Sequence, residues 1–265
     1  MTSKQTPELR IVLLGKTGVG KTSAMNTILG KEDSPALSAS SQTNECKMEK
    51  GKFGDQTLAV IDTPGLFHTE KKKEVVKDIA KCTTFAAPGP HVFLYVLRPK
   101  RFTQEDIKAF KAMETIFGEG YSNYTLALIN RKKENDQAIK AFIAELERTT
   151  NFGGGHICLD LDTTTGRKPD QISELLQMIN NMVEKNKGGY YSNEMFEKAQ
   201  KARQELMQKI TSQTDQQAAV VDDSDPGMLA KFVYSLTAAL MGEEQSEMVR
   251  KLVEIVSYKV EKIFA

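Results

Sequence analysis

The chain has 265 residues, of which 36 are lysine or arginine and 35 are aspartate or glutamate. This length allows one domain with an extension, or two small domains. The balanced charge argues against a nucleic acid as the main partner. Three cysteines without a paired spacing predict a reducing compartment. The polar N-terminus lacks a signal-peptide core, and no apolar run approaches the roughly 20 residues that span a bilayer.

Short apolar runs alternate with amphipathic segments along the first two thirds of the chain. The predicted strands are 9–14, 46–53, 56–61, 91–97, 124–129 and 157–161. The predicted helices are 23–29, 74–85, 104–117, 137–148 and 169–184. This order predicts an α/β fold with a mostly parallel sheet and right-handed crossovers. The turn at Gly54-Asp55 predicts a hairpin and therefore one antiparallel edge strand.

The composition changes near Lys187, which predicts the domain boundaries. We expect a flexible N-terminus over 1–8, an α/β domain over 9–187 and a helical C-terminal extension over 188–265. The extension has a helical repeat from Met195 to Ile210, a polar linker at about 211–226 and two further helices over 228–241 and 243–264. We expect these helices to pack on the domain or on each other. A dimerisation or membrane-surface arm is the alternative.

The first functional motif is the phosphate-loop pattern G-x-x-x-x-G-K-[ST]. The motif lies between a predicted strand and a predicted helix. Its residues are Gly15, Lys16, Thr17, Gly18, Val19, Gly20, Lys21 and Thr22. Glycines let successive N–H groups point at an anion, and the helix N-terminus adds its dipole. Lys21 is expected to reach the β- and γ-phosphates, and the Thr22 hydroxyl is expected to hold Mg²⁺.

A second motif, Asp62-Thr63-Pro64-Gly65, follows a strand about forty residues after Lys21. Asp62 is expected to hold Mg²⁺ through water, and the Gly65 N–H to meet the γ-phosphate. This arrangement predicts the switch of a GTPase. The loop over 31–44 is expected to close a threonine over Mg²⁺. We favour Thr43, with Ser40 and Ser41 as alternatives.

Four stretches together identify a family: 15–23, which ends in Ser23, then 62–67, 91–106 with its Arg-Phe-Thr-x-Glu-Asp, and 116–120. They resemble the GTPases of immunity-associated proteins, the GIMAP family, relatives of septins and chloroplast import GTPases. The resemblance covers about 9–185. It implies a Ras-like three-layer G domain with extra helices, GTP and GDP binding with Mg²⁺, and dimerisation or oligomerisation across the nucleotide face. It also implies immune roles in a cytoplasmic protein, with peripheral attachment to an intracellular membrane left open.

The base-binding segment departs from the family pattern, which has Thr-Arg-x-Asp after the strand. Here the segment is Asn130-Arg131-Lys132-Lys133-Glu134. The carboxylate that accepts guanine N1–H and N2–H is replaced by Lys133 in one register and by Glu134 in the other. We favour Glu134, because losing two charge-assisted hydrogen bonds is costly. Asp162, after a later strand, is a further candidate acceptor, although the match there is poor. Relaxed base specificity is therefore the alternative to guanine recognition.

The second departure concerns hydrolysis. Ras-like enzymes orient water with a glutamine after the switch glycine, but Leu66 stands here. The resemblance implies an arginine from a dimer partner, and Arg101 is the matching position. An ordinary surface arginine is the alternative. His68 is expected to lie on the switch surface. The sequence therefore predicts a slow GTPase or a nucleotide-gated scaffold with negligible hydrolysis. An adenine-nucleotide kinase or ATPase is disfavoured.

Overall fold

A six-stranded sheet forms the centre of the α/β fold. The computed structural model describes residues 8–31, 46–65, 72–131, 134–161, 169–213 and 246–264. The strands are β1 (Leu9–Leu14), β2 (Lys47–Phe53), β3 (Gln56–Asp62), β4 (Val92–Leu97), β5 (Thr125–Asn130) and β6 (His156–Leu159). Their spatial order is β2-β3-β1-β4-β5-β6. All pairs are parallel except β2 with β3.

Continuous apolar sequence explains the two central strands. In β4 all six residues are buried, as expected for a strand covered on both faces. Val12 of β1 lies opposite Ile61 on one side and Phe93 on the other. No residue of the edge strand β2 is buried, and β2 pairs antiparallel with β3, with Lys47 opposite Asp62. The predicted hairpin and antiparallel edge strand are confirmed.

Helices cover both faces of this sheet. The helices of the α/β unit are α1 (Lys21–Leu29), α3 (Gln104–Phe117), α4 (Asp136–Thr149) and α5 (Pro169–Lys185), and short 3₁₀ turns occupy Pro99–Arg101 and Tyr121–Tyr124. One hydrophobic cluster joins α1 and α5 to alternate residues of the strands. The opposite face is aromatic: Phe93 lies 4.7 Å from Phe117 between ring centroids, and Tyr95 lies 5.7 Å from Phe110. The predicted Ras-like three-layer fold is confirmed.

The chain divides into two compact units, and the α/β unit covers Met1–His68 and Pro90–Tyr191. The second unit covers Thr69–Gly89 and Ser192–Ala265. In it α2 (Lys72–Ala86) packs with α6 (Glu194–Gln213) and α7 (Glu247–Phe264). The buried Arg203 guanidinium donates to the carbonyls of Thr84 and Ala87 at 3.1 and 3.2 Å. Helix α2 is therefore anchored to the C-terminal helices.

Helix α2 is the element whose packing the sequence-based division did not anticipate, because periodicity identifies an apolar face but not its partner. The boundaries at 8, 187 and 265 stay a prediction. The predicted C-terminal extension does contain helices, α6 and α7. The predicted helix over 228–241 and the linker beyond Gln213 lie outside the described residues. Within the described ranges, no helix combines the length and apolarity needed to cross a membrane.

Candidate nucleotide-binding site

The phosphate loop turns sharply between β1 and α1. At two of its positions only glycine fits, because neighbouring atoms leave no space for a side chain. Gly15 has φ 133° and Gly20 has φ 111°, a region that side chains rarely adopt. A Cβ on Gly15 would lie 2.5 Å from the Val96 carbonyl oxygen of β4. A Cβ on Gly20 would lie 2.8 Å from the side-chain amide nitrogen of Asn130. The loop is thus pressed against the carboxyl ends of β4 and β5, with Ser23 following in the first turn of α1.

Lys21 lies under this loop and is only 5% exposed. Its ammonium donates to the carbonyls of Gly15 and Lys16 at 2.9 and 2.8 Å. Burial lowers the pKa of Lys21 to about 8, and the Asp62 carboxylate opposes part of that change. A buried ammonium held by neutral carbonyls gains stability when an anion approaches it. The residue therefore suits a phosphate group.

Thr22 at the start of α1 lies next to Asp62 at the end of β3. The Thr22 hydroxyl donates to the Asp62 carboxylate at 2.7 Å, and Asp62 is fully buried. The next residue, Thr63, donates from its hydroxyl to the Leu13 carbonyl at 2.6 Å, which ties the segment to β1. A hydroxyl beside a carboxylate offers only oxygen ligands, the kind that Mg²⁺ prefers. The predicted metal ligands that are described thus fit this ion.

Gly65 lies against the phosphate loop. A Cβ on Gly65 would lie 2.3 Å from the Thr17 hydroxyl oxygen and 2.7 Å from the Thr17 nitrogen. Only glycine permits this approach of two backbones. The structure thus brings the predicted switch glycine to the loop that was predicted to hold the phosphates.

The Lys16 side chain points to the start of α3. Its ammonium donates to the Thr103 hydroxyl at 2.7 Å and lies 2.9 Å from the Asp106 carboxylate and 3.3 Å from Glu105. Asp106 is 2% exposed and also accepts from the Thr103 N–H at 2.8 Å, which completes a capping box. Sequence reasoning missed Asp106 as a partner of the loop. The Thr-x-x-Asp spacing signals the cap but not the contact with Lys16.

The segment after β5 is tied to the loop through Asn130. Its side-chain amide donates to the Val19 carbonyl at 3.1 Å. Farther along, the Arg131 N–H donates to the Leu159 carbonyl at 2.9 Å, and the Arg131 guanidinium pairs with Asp136. Sequence reasoning assigned no role to Asn130. Its signal in the sequence was its position directly after a predicted buried strand.

Glu134 is the described member of the two alternatives for the base-recognising residue. Its N–H donates to the Arg131 carbonyl at 3.0 Å, and its side chain is 8% exposed. Its carboxylate lies 3.1 Å from the ammonium of Lys100, which is 73% exposed. The structure therefore places a covered carboxylate three residues beyond Arg131, within the segment that Asn130 joins to the phosphate loop.

Several predicted residues lie outside the described ranges. They are Thr43 with its alternatives Ser40 and Ser41, Leu66, His68, Lys133 and Asp162. Arg101 ends the 3₁₀ turn Pro99–Arg101, and only its backbone is described. The roles of these residues stay predictions.

Solved structures share this fold at low sequence identity. Toc33 from Arabidopsis thaliana in complex with Mg²⁺ and GMPPNP has a TM-score of 0.52 and 20% identity, with 67% of this chain and 87% of that chain covered. Era from Aquifex aeolicus, bound to GDP and AlF₄⁻, has a TM-score of 0.52 and 13% identity, with coverages of 92% and 70%. These likenesses show the fold.

Relatives and a family model cover the same part of the sequence. Immune-associated nucleotide-binding protein 9 of Arabidopsis thaliana is 26% identical over 211 residues, which are 75% of this chain and 62% of that protein. GTPase IMAP family member 8 of Mus musculus is 31% identical over 185 residues, 67% of this chain and 26% of that protein. The chain thus spans less than two thirds of either relative. The model of the AIG1 family matches residues 9–210, so the protein, with its GIMAP-type G domain, belongs to the AIG1 family.

Proposed function

We propose that this chain binds GTP and GDP together with Mg²⁺ and hydrolyses GTP slowly, at a rate that rises when two copies associate across their nucleotide faces. The observation that carries the proposal is the convergence of Lys21, Thr22 and Asp62 at one end of the sheet. Ligands of α/β folds bind outside the carboxyl ends of parallel strands, where these residues lie. Relatives with GTPase or nucleotide-binding in their names support the same activity.

Different residues would bind the phosphates, the Mg²⁺ ion and the γ-phosphate. The loop N–H groups and the start of α1 face the phosphates, and Lys21 supplies a buried positive charge. Thr22 and Asp62 would hold Mg²⁺, which when bound neutralises charge on the phosphate oxygens. The Mg²⁺ complexes of Toc33 support a nucleotide bound together with Mg²⁺ in this fold, without assigning residues. Gly65, already against Thr17, is the backbone donor that would sense the γ-phosphate.

Base recognition is assigned to Glu134. Guanine presents two adjacent donors, and a carboxylate can accept both. The covered Glu134 side chain lies in the loop after β5, joined through that loop to Asn130 and the phosphate loop. Lys133 cannot accept those bonds, because an ammonium only donates. Asp162 stays a second candidate acceptor.

Hydrolysis is assigned to an arginine supplied by a second copy. Leu66 cannot orient water, so the chain needs another group near the γ-phosphate. Arg101 lies in a turn that directly precedes the Lys16-bound start of α3. An arginine supplied in trans is worth about 10³–10⁵ in rate in GTPases. We propose this role for Arg101, in a cytoplasmic protein.

The test measures GTP hydrolysis per molecule over a hundredfold range of protein concentration. A rate that rises with concentration and collapses in Arg101→Ala supports the proposal, with Arg148→Ala, an exposed arginine near the end of α4, as the matched control. A negligible rate that does not change with concentration, together with retained nucleotide binding, would instead establish a nucleotide-gated scaffold. The absence of a water-orienting glutamine at Leu66 favours that alternative. Displacement of a fluorescent GDP analogue by ATP as effectively as by GTP would refute the guanine assignment.

A further inference from the structure

The segment Pro99–Asp106, here called the bridging segment, contacts both parts of the candidate site. At its end, Thr103 and Asp106 bind the ammonium of Lys16 in the phosphate loop. Near its start, the Lys100 ammonium lies 3.1 Å from the Glu134 carboxylate in the loop after β5. Between them, Phe102 contacts Phe142 of α4 edge to face, with 5.2 Å between ring centroids. The segment thus spans from the phosphate loop to the loop after β5.

The two members of the Lys100–Glu134 pair differ in their surroundings. The Lys100 side chain is 73% exposed and can leave its position at little cost, whereas the Glu134 side chain is 8% exposed. A covered carboxylate needs a cation or donors to offset the loss of water. The other cation described in this loop, Arg131, pairs with Asp136. Lys100 is therefore the cation that holds Glu134.

The pairing leaves Glu134 able to accept further hydrogen bonds. A carboxylate has about four lone-pair positions on its two oxygens. The ammonium lies 3.1 Å from Oε2, so among the described residues Oε1 and the second lone pair of Oε2 remain for other donors. Two adjacent donors on a ligand, such as guanine N1–H and N2–H, need one lone pair on each oxygen. The ion pair and base recognition are compatible.

We propose that Lys100 is a positioning residue for guanine specificity, because it holds the Glu134 carboxylate in the orientation that accepts the two guanine donors. This inference rests on the proposed function and adds a residue to it. The anchoring of the bridging segment by Lys16 and Phe102 sets where the Lys100 backbone lies. The ordinary alternative is an ion pair at the surface that changes neither stability nor binding.

The test compares binding of GDP with binding of inosine diphosphate, which lacks the N2 amino group. The variants are Lys100→Met, Lys100→Arg, Glu134→Gln and the double variant Lys100→Met/Glu134→Gln. Lys108→Met, at an exposed lysine of α3, is the control. The readout is the ratio of the two dissociation constants in each variant, so a general loss of stability cancels. Thermal unfolding without nucleotide verifies that each variant folds.

We expect the wild type to prefer GDP by about tenfold, as befits one charge-assisted hydrogen bond. Lys100→Met should lower that preference by about three- to tenfold, as expected when the carboxylate loses its fixed orientation. Lys100→Arg and Lys108→Met should retain the preference, and the double variant should be no less selective than Glu134→Gln alone.

An unchanged or increased preference in Lys100→Met would overturn the inference while leaving GTP binding intact. Additive losses from Lys100→Met and Glu134→Gln would overturn it also, since the two residues would then act separately. A wild type that binds ADP as tightly as GDP would refute the proposed function itself.

Discussion

The side-chain amide of Asn130 donates to the Val19 carbonyl at 3.1 Å, and this bond joins the end of β5 to the middle of the phosphate loop. Asn130 is 9% exposed, so both groups are shielded from water. The same amide nitrogen limits the space at Gly20. The shape of the loop therefore depends on a residue 111 positions away along the chain.

Asn130→Ala should weaken GDP binding by about fivefold, the effect of one buried hydrogen bond of about 1 kcal/mol. The loop carbonyl loses its partner, so the loop should open more often and release nucleotide faster. The dissociation rate of a fluorescent GDP analogue measures this. Asn186→Ala is the matched control, because that amide also donates to a carbonyl at 3.1 Å but is exposed and bonds Asn123. Equal dissociation rates in the two variants would contradict the expectation.

The fold could be predicted because it depends on local patterns, and the phosphate-binding residues could be proposed from a local motif. Continuous apolar runs identified the strands, and the spacing of Lys21 and Thr22 after Gly15 defines a loop that folds on itself. Asp62 could be added because the carboxyl ends of neighbouring parallel strands meet at one edge. The Thr22–Asp62 hydrogen bond shows that these two residues do lie together at that edge.

The remaining contacts could not be predicted, because they join segments that are distant in the sequence. Lys16 meets Asp106, and Lys100 meets Glu134, only once the bridging segment lies across the site. No spacing rule pairs such residues, and surface charges have many alternative partners. The sequence predicted that the C-terminal helices pack on the domain or on each other, but it did not identify α2 as the partner of α6 and α7, for the same reason.

Nucleotide affinity should fall as the pH rises above about 8, where the buried Lys21 amine of the free protein loses its proton. Phosphate binding stabilises the ammonium, so above this pH binding requires proton uptake and weakens with each pH unit. The measurement is GDP affinity between pH 7 and 9. Lys21→Arg is the comparison, since arginine stays charged over this range. A parallel decline in both proteins would assign the effect to the nucleotide instead.

The same group links folding to pH with a defined sign. In the folded, ligand-free protein the pKa of Lys21 is lowered to about 8 from an ordinary value of 10.5. Between pH 8 and pH 10.5 the Lys21 side chain is protonated in the unfolded chain but mostly neutral in the folded protein. The free energy of unfolding therefore gains a contribution that increases with pH over this range. Urea unfolding at pH 8 and pH 10 should show this contribution in the wild type, and Lys21→Met should remove it. A contribution that persists in Lys21→Met would show that Lys21 is not its source.

Thr22→Ala should remove most of the Mg²⁺ dependence of GTP binding. The hydroxyl that now bonds Asp62 at 2.7 Å is a predicted metal ligand, and its loss should weaken Mg²⁺-supported binding by at least about tenfold. Calorimetric titration with GTP in Mg²⁺ and in EDTA measures the difference. Thr27→Ala is the control on the same helix, because its hydroxyl donates to the Ser23 carbonyl of α1 at 2.8 Å. If EDTA weakened binding equally in the wild type and Thr22→Ala, Thr22 would not be a metal ligand.

Gly65→Ala should lower the affinity for GTP analogues much more than the affinity for GDP. The added methyl group would lie 2.3 Å from the Thr17 hydroxyl oxygen and 2.7 Å from the Thr17 nitrogen, and a backbone atom cannot give way as a flexible side chain can. The segment after Asp62 would move away from the phosphate loop and lose its donor to the γ-phosphate. Competition of GMPPNP and GDP for one fluorescent analogue measures the ratio. Gly189→Ala should leave it unchanged, since the nearest atom there is 3.7 Å away. A ratio that stays at the wild-type value in Gly65→Ala would show that Gly65 does not sense the γ-phosphate.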